Sequence, residues 1–226
     1  MSLLDAIKTQ AQITDKVLVS FSMGKDSIVT LDLCMKYFKH VQPFFMYLVP
    51  DLKFQEEALA KYERHYGVDI IRVPHFENAD FYRYGSFRDA DCSVPRVKIR
   101  AIYEAIRQET GIQWIAGGEK INDSVVRRAM LKHSGSIDVK RGRFYPVMYW
   151  RDADIKRYMQ VNNLLYPEFN RKLGFSFHSL AGKELSAIKR IYPDDYARIL
   201  KFFPEAQAGV LQYEVYKRGE SQWLNK

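Results

Sequence analysis

The feature that most constrains this chain is a glycine turn set between an apolar run and a helical run. Val17-Leu18-Val19 leads into Ser20-Phe21-Ser22-Met23-Gly24-Lys25-Asp26-Ser27, and an amphipathic stretch follows from Ile28 to Phe38. A strand that enters a helix through such a turn exposes the N–H groups and positive dipole end of the helix's first turn, which bind anionic oxygens. Gly24 lets the backbone come close, and Lys25 adds a point charge. The Walker A loop requires an earlier glycine and a hydroxyl directly after the lysine. Here Asp26 follows the lysine and the earlier glycine is missing, so the chain is not a Walker-type NTPase. The plainer alternative is an ordinary strand-to-helix turn in which Asp26 or Ser27 caps the helix.

The rest of the first half repeats the same rhythm. A short amphipathic helix over Leu3 to Gln12 precedes the strand Val17 to Phe21. A second apolar run, Phe44 to Val49 between Pro43 and Pro50, reads as a buried strand, and the helix Gln55 to His65 leads to a third strand, Asp69 to Val73. The aromatic stretch Phe76 to Pro95 lacks a period and reads as a long loop. A helix over Val97 to Glu109 then feeds a strand over Ile112 to Ala116. Alternation of this kind predicts an α/β fold, a doubly wound parallel sheet with its ligands at the C-terminal strand ends. Beyond about Lys140 the alternation gives way to helical periods around Asp152 to Val161, Lys183 to Ile191, Asp194 to Phe203 and Glu205 to Arg218. The expected organisation is a nucleotide-binding core over residues 1–140 and a mostly helical subdomain over 141–226 packed on it.

Ser-x-Gly-Lys-Asp-Ser after a buried first strand resembles the PP-loop of the adenine nucleotide alpha hydrolase superfamily, in particular its phosphoadenosine phosphosulfate (PAPS) reductase-like branch. The resemblance implies a Rossmann-like sheet, a loop that holds ATP or a PAPS-like adenine nucleotide, and chemistry at the alpha phosphate. Met23 stands where the commoner motif has glycine, and is expected to line the nucleotide pocket. A second block, Gly117-Gly118-Glu119-Lys120-Ile121-Asn122-Asp123-Ser124-Val125-Val126-Arg127-Arg128, resembles the family's Gly-x-Arg-x-x-Glu-Ser-x-x-Arg. Gly118, Lys120, Asp123, Ser124 and Arg127 fall in the matching positions. A lysine cannot reproduce the bidentate fork of an arginine, so Lys120 would hold a phosphate with looser geometry. The competing reading is a helix start capped by Asn122 or Asp123, with Arg127 and Arg128 on a solvated face.

By resemblance, Ser20, Ser22, Met23, Gly24, Lys25, Asp26, Ser27, Asp51, Lys98, Gly117, Gly118, Asp123 and Ser124 bind nucleotide, and Lys25, Asp26, Lys120 and Arg127 act in catalysis. Asp26 and Asp51 are the expected magnesium ligands, although an Asp after a Pro is also a common turn former. Arg96 and Lys98, beside Cys92, resemble the family's cysteine-then-lysine stretch. Tyr145 to Ile155 resembles Pro-Leu-x-x-Trp-x-x-x-Asp-Val, with Trp150 burying area and Asp152 capping a helix.

The match breaks at the C-terminus, where sulfonucleotide reductases carry a nucleophilic cysteine. The chain has two cysteines, Cys34 and Cys92, and none follows Cys92. A thiolate is needed for the S-sulfo intermediate, so reduction of PAPS would require Cys92 as an atypical nucleophile. The same count, with no Cys-x-x-Cys, gives the expectation of no iron–sulfur cluster. The preferred function is adenylyl transfer with pyrophosphate release, in sulfur metabolism or nucleic-acid sulfur modification; the alternatives are that atypical reductase and a non-catalytic nucleotide-binding regulator. The net charge of +8, from 35 Lys+Arg against 27 Asp+Glu, suits a polyanionic partner without choosing one. Nucleic acid on Arg127-Arg128-Lys132 and Lys140-Arg141-Arg143, an acceptor protein, and a second copy of the chain stay open. No apolar stretch is long enough to span a membrane and the first residues do not read as a secretory signal, which implies a cytoplasmic protein.

Overall fold

A computed structural model describes residues 3–223 of the chain. After α1 (Asp5–Ile13), β1 (Lys16–Ser20) enters α2 (Lys25–Tyr37) through the glycine turn. There follow β2 (His40–Tyr47), α3 (Lys53–Tyr66), β3 (Ile71–Pro74), α4 (Glu77–Tyr84), α5 (Ile99–Thr110) and β4 (Ile115–Ala116). Next come α6 (Val125–Ser134), β5 (Ile137–Asp138), a 3-10 turn over Val139–Arg141, β6 (Arg143–Phe144) and α7 (Asp152–Val161). The chain closes with α8 (Glu168–Leu173), α9 (Gly182–Ile191), α10 (Pro193–Phe202) and α11 (Ala206–Trp223).

The strands form one sheet in the order β3-β2-β1-β4-β6-β5. β1 runs parallel to β2 and β4, and β4 runs parallel to β6; β5 pairs with β6 antiparallel. This is the doubly wound α/β sheet that the alternation predicts, with β1 in the middle and the glycine turn at its C-terminal end. Val17, Leu18 and Val19 are wholly buried, as a strand covered on both faces requires. β2 begins earlier than the apolar run suggests, and Pro43 is accommodated opposite Val19 within the ladder.

Helix α2 departs from the amphipathic expectation. Every residue from Ser27 to Cys34 is buried, because α2 packs on β1 and is covered by α1 and α7. A helix enclosed in this way reads apolar around its circumference, and its polar members must be satisfied inside. The Thr30 hydroxyl donates to the Asp26 carbonyl (2.9 Å), and Asp32 accepts from the Tyr158 hydroxyl (2.7 Å) and pairs with Lys36 (2.8 Å).

The chain divides into two compact units. The first comprises residues 1–46, 60–73 and 103–167, so β6 and α7, assigned from sequence to the C-terminal subdomain, fall within the sheet unit. The second comprises residues 47–59, 74–102 and 168–226. In it, Phe54 packs against Phe169, Phe177 and Tyr192, and the Asp195 carboxylate accepts from the Lys53 and Phe54 N–H groups (2.7 and 3.2 Å), capping the start of α3. The expected long loop over Phe76 to Pro95 contains α4, which ends at the left-handed Gly85. No described helix is long and apolar enough to cross a membrane.

Candidate nucleotide site at the glycine turns

The left-handed residue of the first turn is Met23, with φ of 60°, whereas Gly24 is extended (φ −80°, ψ 157°). Gly24 therefore serves as the N-cap of α2, and the strain lies one residue earlier, where glycine would be free of it. Met23 persists there because its side chain is fully buried. Ser27 ties the loop to the helix: its Oγ accepts from the Ser22 N–H (3.2 Å), lies 3.2 Å from Ser22 Oγ and donates to the Gly24 carbonyl (2.9 Å). Ser20, at the end of β1, hydrogen-bonds the Tyr103 side chain.

The second glycine block lies directly on the first. A Cβ at Gly118 would sit 3.0 Å from the carbonyl carbon of Asp26 and 3.0 Å from the Ser27 nitrogen. The absence of a side chain at position 118 is what lets the turn after β4 rest on the first peptides of α2. Gly117 is similarly enclosed: a Cβ there would meet the Glu119 carboxylate and the Arg143 guanidinium. Glu119 and Arg143 pair at 2.6 Å, and Arg143 lies 5.2 and 5.0 Å from the ring centroids of Tyr103 and Tyr145. Burial would lower the Arg143 pKa, but the neighbouring Glu119 carboxylate reverses this and holds it raised. Arg143 is thus an internal cation, not part of a surface basic patch.

The charged centre of the site is Lys120. Its side chain is 2% exposed, and its Nζ lies 2.6 Å from Asp26 Oδ1, 2.7 Å from Asp152 Oδ1 and 3.8 Å from Asp123 Oδ1. Lys25 Nζ reaches the same carboxylates, 3.1 Å from Asp26 Oδ2 and 3.5 Å from Asp152 Oδ1. Burial pulls the Lys120 pKa down, yet the hydrogen bonds it donates to Asp152 and Asp26 outweigh this and leave the pKa raised. The Lys120 contact in turn lowers that of Asp152. Lys120 is therefore charged at neutral pH. Asp152 arrives here because α7 packs on α2, which brings its first turn to the glycine turn. It does not cap α7 as the sequence suggests; Asp154 does, accepting from the Arg151 N–H (2.8 Å).

The remaining expected site residues are placed as follows. Asp123 shapes the second turn, accepting from the Lys120 N–H (2.9 Å) and pairing with Arg127 (3.0 Å). Ser124, neither Asn122 nor Asp123, is the N-cap of α6 and accepts from the Arg127 N–H (3.1 Å). Arg127 stands on the exposed face of α6 against Asp123. In the second unit, Asp51 has a left-handed backbone (φ 55°) and pairs with Arg198, Arg96 lies 3.5 Å from Asp80, and Lys98 and Cys92 are exposed. Asp26 and Asp51, the expected magnesium ligands, are each engaged by cations. Among the described residues no group of three or more His, Cys, Asp or Glu is arranged to hold a metal ion. The carboxylates as arranged do not fit a magnesium site. Two ammonium groups, those of Lys25 and Lys120, converge on Asp26 in the first turn of α2, against which Gly118 packs closely.

The fold resembles the U34-tRNA thiolase NcsA of Methanococcus maripaludis, solved with its [4Fe-4S] cluster, at 16% identity and a TM-score of 0.50 over 89% of this chain and 78% of that one. It is also similar to the NH3-dependent NAD synthetase of Campylobacter jejuni, at 15% identity and a TM-score of 0.49 over 94% and 95% of the two chains. The first likeness corrects the expectation of no iron–sulfur cluster. A protein of this fold carries one, so a low cysteine count does not set iron–sulfur chemistry apart from the architecture. Among curated proteins, the uncharacterized MJ0066 of Methanocaldococcus jannaschii is 26% identical over 242 residues, 96% of this chain and 48% of that protein. The chain thus spans about half the length of that relative. The phosphoadenosine phosphosulfate reductase domain model matches residues 16–185, a span that runs from β1 through both glycine turns into α9, and the chain belongs to that family.

Proposed function

We propose that the protein binds ATP or a related adenine sulfonucleotide with its phosphates at the first turn of α2, and catalyses attack at the alpha phosphate. The observation that carries this reading is the convergence of Lys25 and Lys120 on Asp26 in the first turn of α2. First-turn N–H groups and two fixed ammonium ions supply what a displacement at phosphorus needs, namely donors already aimed at oxygens that gain charge. In the proposed step an acceptor oxygen or nitrogen forms a bond to the alpha phosphorus while the bond to the beta-phosphate bridging oxygen breaks. Pyrophosphate leaves with that electron pair, and the acceptor's proton passes to solvent. Lys25 and Lys120 neutralise the departing pyrophosphate, while Asp26, held between them, fixes their positions.

The reductase alternative has less support. Its thiolate would have to be Cys92, an exposed residue of the second unit whose carbonyl is bound by Arg83 (2.7 Å). Calorimetry with ATP and with PAPS identifies the nucleotide, and pyrophosphate release on addition of sulfate, tRNA or DNA identifies the acceptor. ATP binding with acceptor-dependent pyrophosphate release is expected. Sulfite release from PAPS that Cys92→Ala abolishes would replace this reading with the reductase one.

A further inference from the structure

We propose that Asp152 is a self-ligand of the phosphate cations: its carboxylate holds the place of a nucleotide phosphate oxygen on Lys25 and Lys120, and an incoming polyphosphate displaces it. This inference rests on the proposed nucleotide site. A single atom, Asp152 Oδ1, lies 2.7 Å from Lys120 Nζ and 3.5 Å from Lys25 Nζ, the bridging position that a non-bridging phosphate oxygen takes between two ammonium groups.

The two carboxylates of the cluster are not equivalent. The Asp26 side chain is 23% exposed and sits in the first turn of α2, a buried helix, where it touches both lysines with separate oxygens. Asp152 is 66% exposed and begins α7, so its side chain can turn to water without disturbing the helix. Charge arithmetic points the same way. With Asp123 offset by its own partner Arg127, the two ammonium groups against Asp26 and Asp152 leave the cluster neutral, and a neutral cluster is a poor receptor for a polyanion. Withdrawal of Asp152 leaves a net positive charge facing the α2 entrance, with Asp26 still holding the lysines in place. Asp152 therefore sets how strongly an anion must bind in order to enter. A polyphosphate with several charged oxygens can replace one carboxylate at both lysines, and a weak anion cannot. Asp154, two residues along the same helix, is occupied with the Arg151 N–H and is not among the partners of either lysine.

The test is calorimetric titration of inorganic pyrophosphate and ATP into the wild-type protein, Asp152→Asn and Asp154→Asn, with thermal melts to establish folding. Asp152→Ser, which also removes the charge, serves if the Asn variant does not fold. The expected result is a gain in affinity of about two- to fivefold for both probes in the Asp152 variant, the scale of removing one partly exposed competing charge, and no gain in Asp154→Asn. Equal or weaker binding by the Asp152 variants, with the wild type still binding ATP, overturns the self-ligand and leaves the nucleotide site standing. An equal gain in Asp154→Asn also overturns it, since the effect would then be general to acidic charge on α7. Absence of binding by every protein overturns both readings.

Discussion

Lys120 and Asp26 lie 94 positions apart in sequence and meet at 2.6 Å, with the lysine almost completely buried. The contact joins the two glycine blocks: Gly118 brings the turn after β4 onto the first peptides of α2, and Lys120 then pins it there electrostatically. An amine so enclosed loses its hydration, and the two carboxylates that touch it are what compensate.

Lys120→Met keeps the aliphatic stem and removes the charge. It should lower stability by about 1.5–3 kcal/mol, the usual scale for hydrogen bonds to a charged group, and should abolish nucleotide binding. Chemical denaturation monitored by circular dichroism reads the first effect and calorimetry the second.

The pH dependence of that difference has a definite sign on each side. The Lys120 pKa is raised by folding, so its contribution is fully present below the ordinary lysine value of about 10.4 and disappears as pH rises through the folded value. The Asp152 pKa is lowered, so its smaller contribution is fully present above about 3.9 and disappears as pH falls through the folded value. Thermal melts of wild type and Lys120→Met should differ most between about pH 5 and pH 9 and converge toward both extremes. A constant difference across that range would show that the cluster adds no net electrostatic stability.

At Met23 two effects oppose each other. Replacing the buried side chain by alanine should cost about 2–5 kcal/mol in lost packing, and the left-handed backbone remains. Glycine loses the same packing but relieves about 1–2 kcal/mol of backbone strain. Met23→Gly should therefore be destabilising, yet more stable than Met23→Ala by about 1 kcal/mol, the reverse of the order seen at most buried sites. Denaturant midpoints of the two variants decide it.

Two glycines of the second unit should respond differently to the same change. A Cβ on Gly182 would lie 2.0 Å from the Gly209 carbonyl oxygen, so Gly182→Ala must push α9 away from α11 at a cost of about 1–3 kcal/mol. A Cβ on Gly209 meets nothing nearer than 3.7 Å, and Gly209→Ala should be neutral or gain up to about 1 kcal/mol in helix propensity. Melting temperatures of the pair test whether α9 and α11 are packed as described.

The sequence made the first turn and the sheet legible because both are local: a buried β1, a polar turn and a helix start occur in consecutive residues. The spacing of its block marks Lys120 as a candidate site cation, while its burial has no local signature, since that depends on α2 arriving from far upstream. Asp152 reads locally as a helix cap because its neighbour in space, Lys25, belongs to a helix that meets α7 only after folding. Arg143 looked like surface charge because it follows Lys140 and Arg141; its pairing with Glu119 and its two aromatic neighbours are long-range contacts. β5 and β6 are two residues each, too short for any alternation to show. A helix stripe at Phe76 to Tyr84 was masked by its density of aromatics, although Gly85 just beyond it is an ordinary helix stop.

Titration of ATP into wild-type protein and Lys25→Ala, a substitution at a half-exposed side chain that leaves the core intact, tests the phosphate site most directly. The account predicts binding by the wild type that pyrophosphate competes away, and affinity at least about tenfold weaker in the variant, as loss of a charge-assisted contact would give. Equal affinity in the two proteins, or no heat from the wild type at millimolar ATP, would contradict it.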